Sequence, residues 1–417
     1  MRLVAIESGC KGLFNRDIGT TQNWIEEMKR TMSVSLEKTD YEGFTREIEA
    51  LRRDAFQSLC HQDFLHLIKI ERLGKLFSLL GFATAWMIPN PISAVLIAQG
   101  ILTRWLLMHH ISHGGYDNVP GIPPEYTSQI FARGWRRFLD WFDWILPDAW
   151  ACEHNFLHHY HTGEDQDPDL VERHAELMRN WRCPRIIKYL ALFLIGITWK
   201  LSYYAPSTLN AFALHKDRDH NPGQVTPIGF SNFFDLRNRI VRQLWLSCFL
   251  PFFMFHFVVI PLLFLPLGKT AVLFVLINRI LAEFITNFHT YMIIGPNHAG
   301  SDLFRFDHHY KNKQEFYVNQ VLGTVNYKTG NDWIDYPQMW LNYQIEHHLF
   351  PDLPMTKYQE IQPQVEALCR KHNLPYIQES VFKRFRKFLR ICVGDGTMVR
   401  IHPDGRIVHT PVKSSFR

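Results

Sequence analysis

The sequence predicts an all-α integral membrane protein with four transmembrane helices in two hairpins, interfacial helices and a helical cap in the cytosol. Three observations predict it. Leu244 to Leu267 carries no charged residue and is long enough to cross a bilayer as a helix. The mean hydropathy of the 417 residues is nonetheless −0.15, so much of the chain must face water. Histidines come in three dense clusters: His109-His110-Ile111-Ser112-His113, His154 to His161, and Gln344-Ile345-Glu346-His347-His348. On a helix His109 and His113 share a face, as do His154 and His158, with His159 beside them. A zinc ion takes about three or four protein ligands, so this many clustered imidazoles indicate a di-metal site in the cap.

Residues 1–70 form a soluble lead-in, with helical periodicity over 45–72. Met1 to Trp24 has no continuous apolar run, so no cleaved leader is expected. Leu76 to Ile88 and Ile92 to Met108 are joined by Pro89-Asn90-Pro91, a turn that neither helix can continue through. They make the first hairpin, with spans at about 73–88 and 92–108, and deliver His109 and His113 just past its exit. Phe131 to Trp144, with tryptophans at 135, 141 and 144, suits a helix lying in the interface. Tyr189 to Trp199 is too short to cross and is read as interfacial or re-entrant. The second hairpin spans about 244–267 and 271–294. In its second helix Arg279, Glu283 and Asn287 recur at i, i+4 and i+8, a stripe that must face the bundle interior, with Arg279 and Glu283 as a structural ion pair.

Four spans place the three clusters on one side, and the short opposite turns leave nearly all lysines and arginines with them, which makes that side cytosolic. Residues 71–380 form the membrane domain and 381–417 a basic tail containing Lys383-Arg384-Phe385-Arg386-Lys387. A basic, aromatic segment beside a membrane meets anionic lipid headgroups, and with no nucleic-acid motif present no nucleic-acid partner is expected. The seven cysteines, an odd number without a Cys-x-x-Cys pair, read as free thiols.

The clusters resemble the three histidine boxes of the membrane-bound fatty acid desaturase and hydroxylase superfamily. Leu341-Asn342-Tyr343-Gln344-Ile345-Glu346-His347-His348-Leu349-Phe350-Pro351-Asp352 is similar to the Gln-x-x-His-His box of front-end and related desaturases. Asn319-Gln320-Val321 and Asp167-Pro168-Asp169-Leu170 resemble that branch too, and the likeness runs from about 70 to 380. The resemblance implies two iron ions (Fe2+/Fe3+), O2 as oxidant, and a long acyl chain, carried as a lipid or acyl thioester, that gains a cis double bond. Carried over by position, the metal ligands are His109 and His113, His158 and His159, His347 and His348, with His298 after the fourth span and His289 as its alternative.

His154 stands four residues before His158, where desaturases have three. The longer spacing resembles membrane alkane hydroxylases, but either keeps one helical face, so His154 is counted as a ligand; in the alternative, His161 takes its place. His110 stays outside the set. Gln344, which matches a glutamine replacing a histidine in this branch, is expected to act beside the metals together with Glu346 and Asn297. Glu153, Asp165, Asp167 and Glu346 are candidates to orient imidazoles through their free N–H groups, with Asp165 read as a solvated acid. His402-Pro403-Asp404-Gly405 is read as a turn, unlike the His-Pro-Gly-Gly haem motif of fused cytochrome b5 domains, so electrons come from a separate donor: cytochrome b5, ferredoxin or a similar carrier with its reductase. The membrane is that of the ER or the bacterial inner membrane. The competing readings are a hydroxylase on the same centre and a membrane metal carrier or sensor, whose ligands would sit near mid-membrane.

Overall fold

The computed structural model describes residues 38–220 and 226–409; Cys10, the stretch read as lacking a leader and the end of the expected tail lie outside the described residues. Helix α1 (Tyr41–Gln57) starts where the Asp40 carboxylate accepts from the Gly43 N–H, and it buries Phe44, Ile48, Leu51 and Ala55 on one face. Helices α2 (His61–Ala85) and α3 (Pro91–Ser112) then pack along one another. Gly100 permits this contact, because a Cβ there would meet Ser78 Oγ at 1.9 Å and the Gly74 carbonyl at 2.8 Å. Pro91 opens α3, and Asn90 caps it by accepting from the Ser93 N–H at 2.8 Å.

The chain continues through α4 (Arg185–Ile197), α5 (Ala205–His220), α6 (Arg239–Leu267) and α7 (Lys269–Ile293). Among the described residues, Pro91–Ser112, Arg239–Leu267 and Lys269–His298 are long and apolar enough to cross a membrane. Arg185–Ile197 and Lys200–Lys216 would make a fourth span as a pair bent by 87° at their break, the form of a broken span or a re-entrant turn. The span expected at about 73–88 falls in α2, which is not among the three; charged residues persist along that helix as far as Lys75.

Two prolines disturb α6. Pro251 has no N–H to offer the Ser247 carbonyl one turn earlier, and Arg137 Nη1 donates to that carbonyl at 3.0 Å. Wider π turns, Leu244–Phe249 and Met254–Val259, precede Pro251 and Pro261. Helix α7 carries the predicted polar stripe inward. Glu283 accepts from Arg279 Nη1 at 2.8 Å, Trp144 Nε1 at 2.8 Å and Asn287 Nδ2 at 3.0 Å. Lys200, 3.6 Å from Glu283, also pairs with Asp143 at 2.8 Å.

The interfacial helix expected over Phe131–Trp144 is not formed. Only the single turns Gly134–Arg136 and Arg137–Asp140 are helical, because the Asp140 carboxylate draws the chain back by accepting from the Ala132 N–H and Arg136 Nε, while Ala132 and Gly134 take left-handed φ values of 56°. Trp141 and Trp144 are buried and Trp135 stays exposed.

After α7 come β1 (Phe304–Phe306), α8 (Lys313–Leu322), β2 (Asn326–Tyr327), α9 (Gln344–Leu349), α10 (Met355–Lys371) and β3 (Gln378–Glu379), β2 and β3 pairing in parallel. The expected basic tail folds against the loop that carries His298. Its first segment is helix α11 (Val381–Val393), whose Arg384 is fully buried and paired with Asp302 at 2.7 Å. After it, β4 (Val399–Ile401) pairs parallel with β1 and antiparallel with β5 (Ile407–His409). His402-Pro403-Asp404-Gly405 is the hairpin turn, closed by the His402 N–H on the Arg406 carbonyl at 3.0 Å with Gly405 at φ 81°. Cys60, Cys183, Cys248, Cys369 and Cys392 are free thiols.

Candidate metal centre

Three elements bring the histidines together. The last turn of α3 presents His109, and His113 follows as its C-cap. The second cluster begins in a π-helical stretch, Cys152–His158, and continues as a regular turn, His159–His161. A π turn absorbs one extra residue, which is how the four-residue step from His154 to His158 is accommodated. The third pair lies on α9, entered through Met339 and Trp340, both fully buried and left-handed at φ 48° and 60°. Each such conformation costs on the order of 1–3 kcal/mol and persists only where surroundings enforce it. Here the Met339 carbonyl accepts from His110 Nε2 at 2.8 Å, which turns His110 away from the other imidazoles.

The imidazoles form two adjoining groups. His109, His113, His154 and His347 make one, and His158, His298 and His348 the other, with candidate ligand atoms within 4.8 Å of one another in each. His159 stands at the seam, its ring centre 4.5 Å from His113, 4.8 Å from His347 and 4.2 Å from His348. His109 Nε2 and His347 Nε2 point at each other across 3.0 Å.

Neighbouring groups decide which ring nitrogen faces inward. Tyr358 donates its hydroxyl hydrogen towards the Phe350 and Pro351 carbonyls, so its oxygen accepts from His347 Nδ1 at 3.1 Å. Gln320 donates through Nε2 to the His159 carbonyl and accepts with Oε1 from His348 Nδ1 at 2.9 Å. Asp167 accepts from His158 Nδ1 at 2.8 Å. In all three rings the Nε2 lone pair is left for the interior.

Several ring nitrogens of the two groups lack protein partners. Nε2 of His113 and His348 and both ring nitrogens of His154 and His159 are buried without a hydrogen bond. Each orphaned buried polar atom costs about 1–3 kcal/mol. Protonation cannot supply the missing partner. Burial holds His113, His154, His159, His347 and His348 well below the usual imidazole range, and the neighbouring histidines push the same way. His158 differs: burial pulls it down, but Asp167 outweighs this and holds it above the usual value. Apart from His158, these are neutral, convergent lone pairs, which fit divalent transition metals, iron among them.

The other predicted residues divide. Gln344 joins the second group, its Nε2 2.9 Å from His298 Nε2 and its Oε1 buried without a partner. Asn297 donates instead to the Leu341 carbonyl at 3.2 Å, tying the loop after α7 to the approach to α9. Glu346 turns away from the imidazoles to Asn326 and Tyr376, at 2.7 and 2.8 Å; burial lifts its carboxyl to about 7 against those two donors. His289 bonds to the Pro337 backbone, outside both groups. His161 forms a separate cluster with Glu164 and His309. Glu153 is buried against Asp169, and Asp165 pairs with Arg305 at the surface. Sequence reasoning passed over Tyr358, and it used Asp169 and Gln320 only as parts of motifs. Asp169 lies within reach of His154 and His158.

His298 owes its place to α11. Arg384 Nη2 donates to the Ala299 carbonyl at 3.0 Å, Nε to Pro296 at 3.4 Å and Nη1 to Asp302, clamping the loop that carries His298. Gly300 is required there, since a Cβ would meet Arg384 Nη2 at 2.5 Å.

Comparison with known proteins decides what kind of chain carries this centre. The sequence pattern of the fatty acid desaturase family matches residues 84–380. The chain belongs to the fatty acid desaturase family. It is thus an oxidoreductase, and its helices and histidine clusters fit a membrane desaturase. The enzyme is 23% identical over 375 residues to the NADPH-dependent stearoyl-CoA 9-desaturase of Mycobacterium tuberculosis, which covers 85% of this chain and 80% of that protein. Shorter, closer matches are 51% over 53 residues with the acyl-lipid (8-3)-desaturase of Thraustochytrium (13% of this chain, 12% of that one) and 49% over 63 residues with the Delta(8)-fatty-acid desaturase of Euglena gracilis (15% and 14%). The family match ends at residue 380, just before α11.

Proposed function

We propose that this enzyme is an O2-dependent di-iron desaturase that introduces a cis double bond into a long acyl chain of a lipid or acyl thioester. The observation that carries the reading is the pair of adjoining imidazole groups with buried, unpartnered ring nitrogens. His109, His113, His154 and His347 would hold one iron and His158, His298 and His348 the other, with His159 between them and the orphaned Gln344 oxygen beside His298. Bound there, iron would supply the O2-dependent removal of two hydrogens from neighbouring methylenes, which no side chain can perform. Asp167, Gln320 and Tyr358 keep three imidazoles in the tautomer and orientation a metal needs, a support of the kind worth about 10–100-fold in affinity.

The membrane arrangement belongs to the same reading. Counting the polar α2 hairpin with α3, four spans return the histidine elements to the side that holds most of the basic residues, the cytosolic side of an ER or bacterial inner membrane. Electrons would come from a separate carrier protein docking there.

The test combines metal analysis with lipid mass spectrometry in cells expressing wild type or the His347→Ala/His348→Ala variant. Two irons per purified chain are expected, with lipid species two hydrogens lighter appearing only with wild type. Products that gain an oxygen would transfer the assignment to a hydroxylase, and a purified wild type that holds no iron would overturn it.

A further inference from the structure

The second metal group borders an apolar chamber whose floor is made by the C-terminal helix. Leu192 and Ile195 of α4, Tyr291 of α7, and Phe388 and Cys392 of α11 line it, and His298 forms part of its wall. Its volume is about 150 Å³. Whole-ligand pockets run to about 300–1,000 Å³, so this one suits a segment of chain and not a complete lipid. Beside it stands a larger cavity of about 650 Å³ with mixed walls, in which Ser202, Ser207, Asn210 and His215 stand among leucines and prolines. The two share only the His174 and Tyr203 side chains as lining, rings that meet edge to face at 5.6 Å. An apolar compartment beside His298, a larger one with polar side chains in its walls and two rings between them match a molecule with a polar end and a long hydrocarbon tail.

We infer that α11 sets the acyl-chain length this enzyme accepts: the tail passes the His174–Tyr203 constriction, runs by His298 and ends against Phe388 and Cys392. The inference rests on the desaturase reading and adds a selecting element just past the residues that the family pattern matches, 84–380. The floor has no slack. Phe388 packs on Tyr291 at a ring distance of 5.2 Å, and a Cβ on Gly295 would come within 3.0 Å of it. Each methylene gained or lost in such a pocket changes discrimination by about 10–200-fold. The exposed residues of α11, Phe382 among them, face away and take no part.

The experiment feeds deuterated myristic, palmitic, stearic and arachidic acids to cells expressing wild type, Cys392→Phe, Phe388→Leu or Phe382→Ala. The ratio of desaturated to saturated product is read for each acid. Cys392→Phe should depress the longest products at least about ten-fold relative to the shortest. Phe388→Leu should shift the profile the opposite way, and Phe382→Ala should match wild type. A fatty acid with a terminal diazirine, photolysed in membranes holding the wild-type enzyme, should leave adducts on the peptide spanning 381–393. Unchanged profiles in Cys392→Phe and Phe388→Leu variants that fold and hold metal like wild type would overturn the inference, as would photo-adducts that avoid this helix. A wild type that desaturates nothing fails the desaturase reading instead, and the photo-adducts still decide where the tail lies.

Discussion

Two buried polar regions stand close together in this molecule and are built on opposite principles. In the bundle, Arg279, Lys200, Glu283 and Asp143 form a chain in which every charge has an opposite charge within 3.6 Å. In the histidine cluster, no hydrogen bond meets the inward nitrogens of His113, His154, His159 or His348. The first region balances its charges within itself, although Arg279 Nη2 and Asp143 Oδ1 make no hydrogen bond; the second is complete only around a guest. Removing a side chain should therefore damage stability in the first region and metal binding in the second.

The sharpest break of this contrast is His159→Ala. His159 touches both imidazole groups, yet its ring makes no hydrogen bond that the fold would miss. Product formation and bound metal should fall by more than about 100-fold, because even residues that merely support ligands are worth about 10–100-fold. The unfolding temperature of metal-free protein should change little. A marked loss of metal-free stability would mean that the cluster is a structural core.

Glu283→Ala is the reverse case. It leaves Arg279 and Lys200 buried without their shared carboxylate and should cost about 3–5 kcal/mol of stability, measured by thermal unfolding in detergent. The fraction that remains folded should bind metal normally. Replacing both Arg279 and Glu283 by methionine should recover most of the loss, because removing a whole buried pair is often neutral; failure to recover would mark the network as more than a fold device. Asp167→Asn tests the border between the regions, being a charged group whose partner is an inward-facing imidazole. Metal affinity should drop about 10–100-fold with a modest change in stability, readable by competition with a chelator.

How much of this was legible beforehand follows from the range of the interactions. The histidine clusters and the stripe on α7 repeat within one or two helical turns, and the chain shows them directly. The turn at His402-Pro403-Asp404-Gly405 is equally local. The site's outer support is not: Gln320 reaches His348 across 28 positions and the His159 carbonyl across 161. The segment Phe131–Trp144 misled because its tryptophans suit an interface in isolation, whereas Trp144 is drawn inward by Glu283, distant in sequence. The basic run at 383–387 misled for a related reason. Four of its five residues are cations, but Arg384 repeats with Phe388 and Ile391 on a buried helical face, and its counter-ion Asp302 lies 82 positions earlier.

That last pair gives the smallest effect and the finest test, because it lies at the edge of both regions: a completed ion pair like that of the bundle, spent on positioning a histidine. Burial alone would raise the Asp302 carboxyl, but Arg384 and Lys387 outweigh it and hold the group below its ordinary value of 3.8. A carboxyl depressed in the folded state contributes stability that is fully present above the unfolded value and is lost as pH falls through the folded one. One such group changes stability by at most about 1.4 kcal/mol per pH unit. Unfolding temperature followed from neutral pH downwards should therefore run parallel for wild type and Asp302→Asn above pH 3.8, with the variant lower, and the two should converge below it. Curves that stay parallel into acid would show that the clamp draws its strength from the Arg384 bonds to the Pro296 and Ala299 carbonyls, and that the charge on Asp302 contributes nothing to holding His298 in place.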